Sequence, residues 1–352
     1  MKNFFSKAAF VLSVAFLLAL PAYAEFSDSE KAAKREELDR YLQMALSKTA
    51  AKAEAYQIFR LTAHGSTRFG YDSNVDLDKN EDGDEFYEEK GGVDAIYAPE
   101  GFNAWGVPFV LGARGRYSYL GYFDRDDMDR QTFLLEPYVR MDLNENLRLE
   151  QAYDFRGRNY DSRNDLNYLS QGTKTTLVHR ITPGLSHQFS FGYEHQEYDS
   201  VRKAIRDNGR PGPDDREDDR YEFIYGGKYK TGRWTFNLEG TWLLNDSNDD
   251  FVDFNDYSDL GVNGSASVRV YERLILTGFG GYHFRDYASR APFPAFSPTQ
   301  EDDWFFAGGR IFYSINLWSG VDVTFTWYEN NSNDPNHDYD GTLTSVGYHL
   351  YF

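Results

Sequence analysis

Residues 234–244 read Trp234-Thr235-Phe236-Asn237-Leu238-Glu239-Gly240-Thr241-Trp242-Leu243-Leu244. Trp234, Phe236, Leu238, Gly240, Trp242 and Leu244 alternate with Thr235, Asn237, Glu239 and Thr241. Successive side chains of a strand point to opposite faces, so this period of two separates a greasy face from a polar one. The same rhythm recurs along the chain. Leu147, Leu149, Tyr153 and Phe155 oppose Arg148, Glu150, Asp154, Arg156 and Arg158. Phe189, Phe191 and Tyr193 oppose Gln188, Ser190 and Glu194, and Val321, Val323, Phe325 and Trp327 oppose Asp322, Thr324 and Thr326.

A soluble sandwich would also alternate, but its strands run to roughly 5–6 residues, and the segments here are at least twice as long. The connections alternate as well. Short ones lie at Asn144-Glu145-Asn146, Thr182-Pro183-Gly184, Gly232-Arg233 and Glu272-Arg273, and long polar ones near 76–90, 199–220, 245–256, 288–303 and 329–341. Short periplasmic turns and long extracellular loops characterise outer-membrane barrels. The expected fold is all-β: a transmembrane antiparallel up-and-down β-barrel of about 14 strands spanning 57–352, an even number as such barrels require. The second segment, 86–98, alternates weakly between Gly91-Gly92 and Pro99, which leaves twelve strands as the alternative.

Composition agrees. Aromatics make up 17% of residues, with 27 Tyr and 28 Phe, yet mean hydropathy is polar at −0.66. A barrel in lipid spreads its aromatics outward and into interfacial girdles, whereas a soluble globule would hide them. There is no Cys, so disulfides and thiolate metal sites are excluded.

The N-terminus reads as a signal peptide over 1–24. Lys2 and Lys7 precede an apolar run from Ala8 to Leu20, and Ala22-Tyr23-Ala24 supplies the small-x-small cleavage pattern. Residues 25–56 read as a periplasmic helical leader. Ser27-Asp28-Ser29-Glu30 fits a capping box, and no Gly or Pro interrupts Glu30–Tyr56. The leader is expected to enter and obstruct the barrel, to dock on a periplasmic envelope complex, or to act as a solvated spacer.

The chain ends Ser345-Val346-Gly347-Tyr348-His349-Leu350-Tyr351-Phe352. Gly347, Tyr348, Leu350 and the terminal Phe352 resemble the signal read by the barrel-assembly machinery, which the resemblance makes a partner. Phe69-Gly70-Tyr71-Asp72-Ser73-Asn74-Val75 is similar to the GYDSNV segment that opens the barrel in two families. One is the β-barrel porins linked to exopolysaccharide systems, and the other the surface lipoprotein assembly modifiers. The first resemblance implies passage of an envelope polymer. The second implies lipoprotein translocation, although the modifiers' tetratricopeptide repeats are absent here.

Formal net charge is −19, and the acidity gathers in the long loops. Beside anionic lipopolysaccharide, such loops need bridging divalent cations. One loop is more specific: Asp78, Asn80, Asp82, Gly83 and Glu89 fit D-x-[DN]-x-[DN]-G-x5-E, the calcium-loop pattern, with oxygen ligands and a glycine at the sharp turn. The loop reads first as a solvated acidic loop with no cofactor, and Ca²⁺ bound there is the alternative.

The polar face should line the lumen. By parity it carries Arg114, Arg116, Arg140, Arg148, Arg156, Arg158, Arg269 and Arg310, opposed by acids that include Asp94, Glu136, Glu150, Asp154, Glu194 and Asp322. Such a lining either forms ion pairs that fill the tube or passes an anionic or sugar-rich chain by transient contacts.

Of 7 His, the parity of His179, His187 and His195 sends them outward, while His64 and Ser66 share the inward face. No motif of a barrel lipase or protease occurs, so no enzyme is expected. The sequence reads as a channel-like barrel of the cell outer membrane, contacting lipopolysaccharide and no nucleic acid. The alternative is a plugged barrel that displays its acidic loops.

Overall fold

The computed structural model describes residues 59–77, 82–99, 102–104, 106–161, 166–198, 216–248, 255–290, 292 and 299–352. The signal peptide and the leader helix expected over 25–56 lie outside these residues. Fourteen long strands follow one another: β1 (Phe59–Asp72), β2 (Asp84–Tyr97), β3 (Val107–Tyr122), β4 (Arg130–Asp142), β5 (Leu147–Tyr160), β6 (Tyr168–Thr182) and β7 (Leu185–Tyr198), then β8 (Glu217–Thr231), β9 (Trp234–Ser247), β10 (Tyr257–Tyr271), β11 (Leu274–Tyr287), β12 (Glu301–Ser314), β13 (Ser319–Ser332) and β14 (Tyr339–Tyr351). Each is antiparallel to its sequence neighbours, and β1 also pairs with β14, from His64 opposite Tyr351 to Asp72 opposite Leu343. The sheet therefore closes on itself. Lipid offers no hydrogen bonds to an open edge, so closure is what allows a sheet to span it.

The weak second segment is a full strand. β2 pairs along its whole length with β1, from Phe59 opposite Tyr97 to Asp72 opposite Asp84. Its alternation fades because Gly92 leaves its place on the inner face to the His64 ring. An additional two-residue strand, Asn103–Ala104, folds back on Val107 and Pro108 within the β2–β3 connection.

Exposure is inverted relative to a soluble protein. Leu238 is 62% exposed and Phe69 58%, whereas Asn74 and Gln300 are fully buried. The outward rows read from the sequence, including Phe189, Phe325 and Trp242, are exposed to where lipid lies. The strands run from 13 to 16 residues. About 9–11 suffice to cross the hydrocarbon, so the strand ends project into the headgroups and beyond. The pairing continues there through polar residues. Several acids expected in loops, including Glu85, Asp302 and Asp303, are ladder residues instead. At the periplasmic end the turns are tight, and Gly232 adopts φ 54° in the two-residue Gly232-Arg233 turn, a conformation natural to glycine.

Candidate functional site

The inner wall is the candidate site. In its middle, Arg114 on β3 donates through Nη2 to Glu150 on β5 at 2.8 Å and also pairs with Glu136 on β4. The guanidinium sits 4.1 Å from the centre of the Tyr138 ring. That ring lies over Gly112, where any Cβ would collide with it. Arg116 pairs with Asp94 at 2.7 Å, Arg148 with Asp142 at 2.8 Å and Lys174 with Glu222 at 3.2 Å. Glu194 lies between Arg156 at 3.9 Å and Arg220 at 3.7 Å, and accepts from the Ser170 hydroxyl at 2.6 Å.

A second cluster spans the closure. The Asp322 side chain is fully buried and accepts from Arg310 Nε at 3.1 Å and Thr324 Oγ1 at 2.7 Å. It also pairs with His349, and Arg68 approaches to 3.6 Å. Gly347 stands between Asp322 and Arg68 in register, and a Cβ there would meet the Asp322 carboxylate. One glycine of the C-terminal signal thus makes room for the ion cluster that joins β13, β14 and β1.

The extracellular rim carries arginine–tyrosine pairs on one arc. Arg158 lies over Tyr168 at 5.3 Å, Arg216 over Tyr198 at 4.5 Å, Arg285 over Tyr257 at 4.5 Å and Arg290 over Tyr287 at 4.0 Å. Arg285 also pairs with Asp259 at 3.0 Å, and Asp259 holds His283 at 2.9 Å. In the loop after β11, burial pushes the Arg290 guanidinium below its ordinary range. Tyr287 and Asp302 oppose that shift, while Arg216 and Arg285 reinforce it.

The facing arc is a latch built from the segment 70–75. Gly70 leaves room for the Phe86 ring. Asp72 accepts from Tyr328 Oη at 2.6 Å, Tyr122 Oη at 3.4 Å and the Asn74 amide at 3.2 Å. Asn74 donates to the Asp340 carbonyl at 2.9 Å, and Ser73 exchanges bonds with Thr342. The segment quoted for its family resemblance therefore fastens the first loop to the closing strands.

Of the arginines expected to line the lumen, Arg114, Arg116, Arg148, Arg156, Arg158 and Arg310 are brought into these pairs. Arg140 and Arg269 share the inward face, opposite Glu150 and Ile275, and make no ion pair among the described residues. Asp218 and Asp302 also face inward but were hidden in stretches read as loops, and Glu88, Lys90 and Arg220 stand where a segment read as strand overlaps a stretch read as loop. The signal that would have found them is the period of two, which runs on through Arg220 and Glu222.

In the first long loop, Asp78 and Asn80 lie outside the described residues. Glu89 lies well inside β2, opposite Thr67 and Tyr119 on the outward face. The last oxygen of the calcium pattern is thus on the outward face. On the outer wall His195 meets Asp219 at 2.9 Å, and Tyr193 donates to the same carboxylate at 2.7 Å. His179 meets His187 at 2.9 Å in an outward network with Tyr225.

No family model matches the chain, and no curated protein does. Solved structures do. The chain is similar to OmpT, an outer membrane protein of Vibrio cholerae in its trimer form, at 10% identity and a TM-score of 0.52, over 84% of this chain and 100% of that one. It is similar to the outer membrane channel DcaP of Acinetobacter baumannii at 10% identity and a TM-score of 0.52, over 84% and 97%. The chain is an outer-membrane β-barrel. At such identities the likeness concerns the porin-like fold, and what the barrel carries must be argued from its own wall.

Proposed function

We propose that this barrel is a non-catalytic outer-membrane channel for polar solute, with export of an envelope polymer as the finer reading. One observation carries it. Among the described residues, every ion pair of the inner wall lies within one strand or joins strands one or two apart, and none crosses the lumen. Rings follow the same rule: Tyr138 lies over Gly112 and Tyr328 over Gly341 on the adjoining strand. Side chains that lie along the wall leave the axis to water. Arg116 and Lys90, both inward, keep 35% and 49% of their side chains exposed. Fourteen strands fall between the eight that side chains fill and the sixteen or more that leave an aqueous channel, so this lateral packing matters.

Polymer export draws on the resemblance of residues 69–75, and the hydrogen bonds of that segment support a role in closure rather than in choosing a cargo. Recognition of the C-terminal strand by the assembly machinery is likewise a proposal. It is supported by Tyr348 and Leu350 sharing the outward face.

The test is single-channel recording in planar bilayers with the mature chain and with a variant lacking residues 25–56. Steady current from the mature chain is expected. Silence from both proteins would overturn the channel reading in favour of a plugged, structural barrel.

A further inference from the structure

The two mouths of the lumen treat their cations differently. At the extracellular rim each guanidinium named above is stacked on a tyrosine, and Arg216 and Arg285 also hold carboxylates. At the periplasmic ends of β6, β8 and β10, the inward residues Arg180, Lys228, Lys230 and Arg269 are exposed and make no ion pair among the described residues. Their partners in register carry no charge that could neutralise them. Ser186 separates Arg180 from Lys228, Thr235 faces Lys230, and Ile275 faces Arg269. Arg148 extends this arc onto β5, where Asp142 answers it.

Unpaired cations gathered on one wall repel one another, and a closed barrel cannot splay to relieve them. An anion at the mouth would relieve them, and the low-dielectric wall around it focuses the field. The arc from β5 to β10 measures roughly 24 Å at about 4.8 Å per strand. A small anion touches a fraction of it, whereas an extended chain of carboxylates can touch all of it. The residues point into the lumen, so that chain must thread rather than dock flat.

We propose that this basic arc is the entry site for a chain-like polyanion coming from the periplasm, of the carboxylated polysaccharide class. The inference rests on the channel reading. At the far mouth Tyr198 and Tyr257 keep part of their ring surface exposed to a passing sugar, whereas Tyr168 and Tyr287 are buried beneath them. The acidic loops beyond would repel the emerging chain and disfavour its return.

The experiment is single-channel recording with oligogalacturonate added first to one chamber and then to the other. Neutral dextran and oligoglutamate of matched size serve as comparison probes. We expect brief blocks from one side only with oligogalacturonate, weakening as salt is raised. A variant carrying Arg180→Gln, Lys228→Gln, Lys230→Gln and Arg269→Gln should still open to a steady potassium chloride current, altered in size and selectivity, and on that current the block frequency should fall about tenfold, the lower end of electrostatic steering. Equal block from both sides, equal block by dextran, or undiminished block in the variant would overturn the proposal. Equal block by oligoglutamate would overturn the polysaccharide assignment. Absence of any current in the unmodified protein would instead strike the channel reading itself.

Discussion

Gly347 shows how much one missing side chain decides. Asp322 reaches His349 and Arg68 across the space that a Cβ on Gly347 would occupy, while Arg310 holds it from the other side. Gly347→Ala should cost about 1–3 kcal/mol, as overpacking does, and lower the urea midpoint of unfolding. Gly278→Ala, on the outer face of β11 with nothing within 4 Å of its Cβ, should stay within about ±0.5 kcal/mol. Equal effects of the two would show that the ion cluster needs no such space. Asp322→Ala should be worse than either, because it strands cations at a buried position and breaking such a pair costs about 3–5 kcal/mol. The sequence places Gly347 in a terminal signal and Asp322 and Arg310 on the inner face. It cannot place the three together, since Arg68 arrives from the other end of the chain.

At the scale of elements, the first strand and its loop carry the plainest test. The Asp72 carboxylate holds Tyr328 of β13 at 2.6 Å from a strand more than 250 residues away in sequence. A hydrogen bond to a charged group contributes about 1.5–3 kcal/mol, so Tyr328→Phe should lower stability by that order. It should also speed proteolysis within the first long loop, read by limited digestion of the folded protein. Unchanged digestion would argue that the latch does not fasten the loop. Strand positions were legible because alternation persists wherever one face meets lipid. Strand ends were not, because above the membrane both faces are polar and the hydrogen-bonded ladder continues without an apolar signal. Asp84 and Glu85 were read as loop for that reason and belong to β2.

For the whole molecule, the balance of wall charges should set ion selectivity. Removing Arg114 leaves Glu136 and Glu150 without their shared cation. Arg114→Ala should shift the reversal potential in a salt gradient toward cation preference, while Arg269→Ala, which frees no carboxylate, should shift it less. The opposite order would mean that ions avoid the middle of the wall.

The sequence by itself determined the class of fold, the number of long strands to within one hairpin, the two faces of most strands and the outer-membrane setting. A repeat of two against lipid leaves a pattern that survives without knowledge of neighbours. Only the tertiary structure decided which inward charges meet, which glycines lie beneath rings, and that one mouth stacks its arginines on tyrosines while the other leaves Arg180, Lys228, Lys230 and Arg269 without an ion pair among the described residues. These depend on the register between strands, and register is fixed by the closure of the sheet rather than by any single segment.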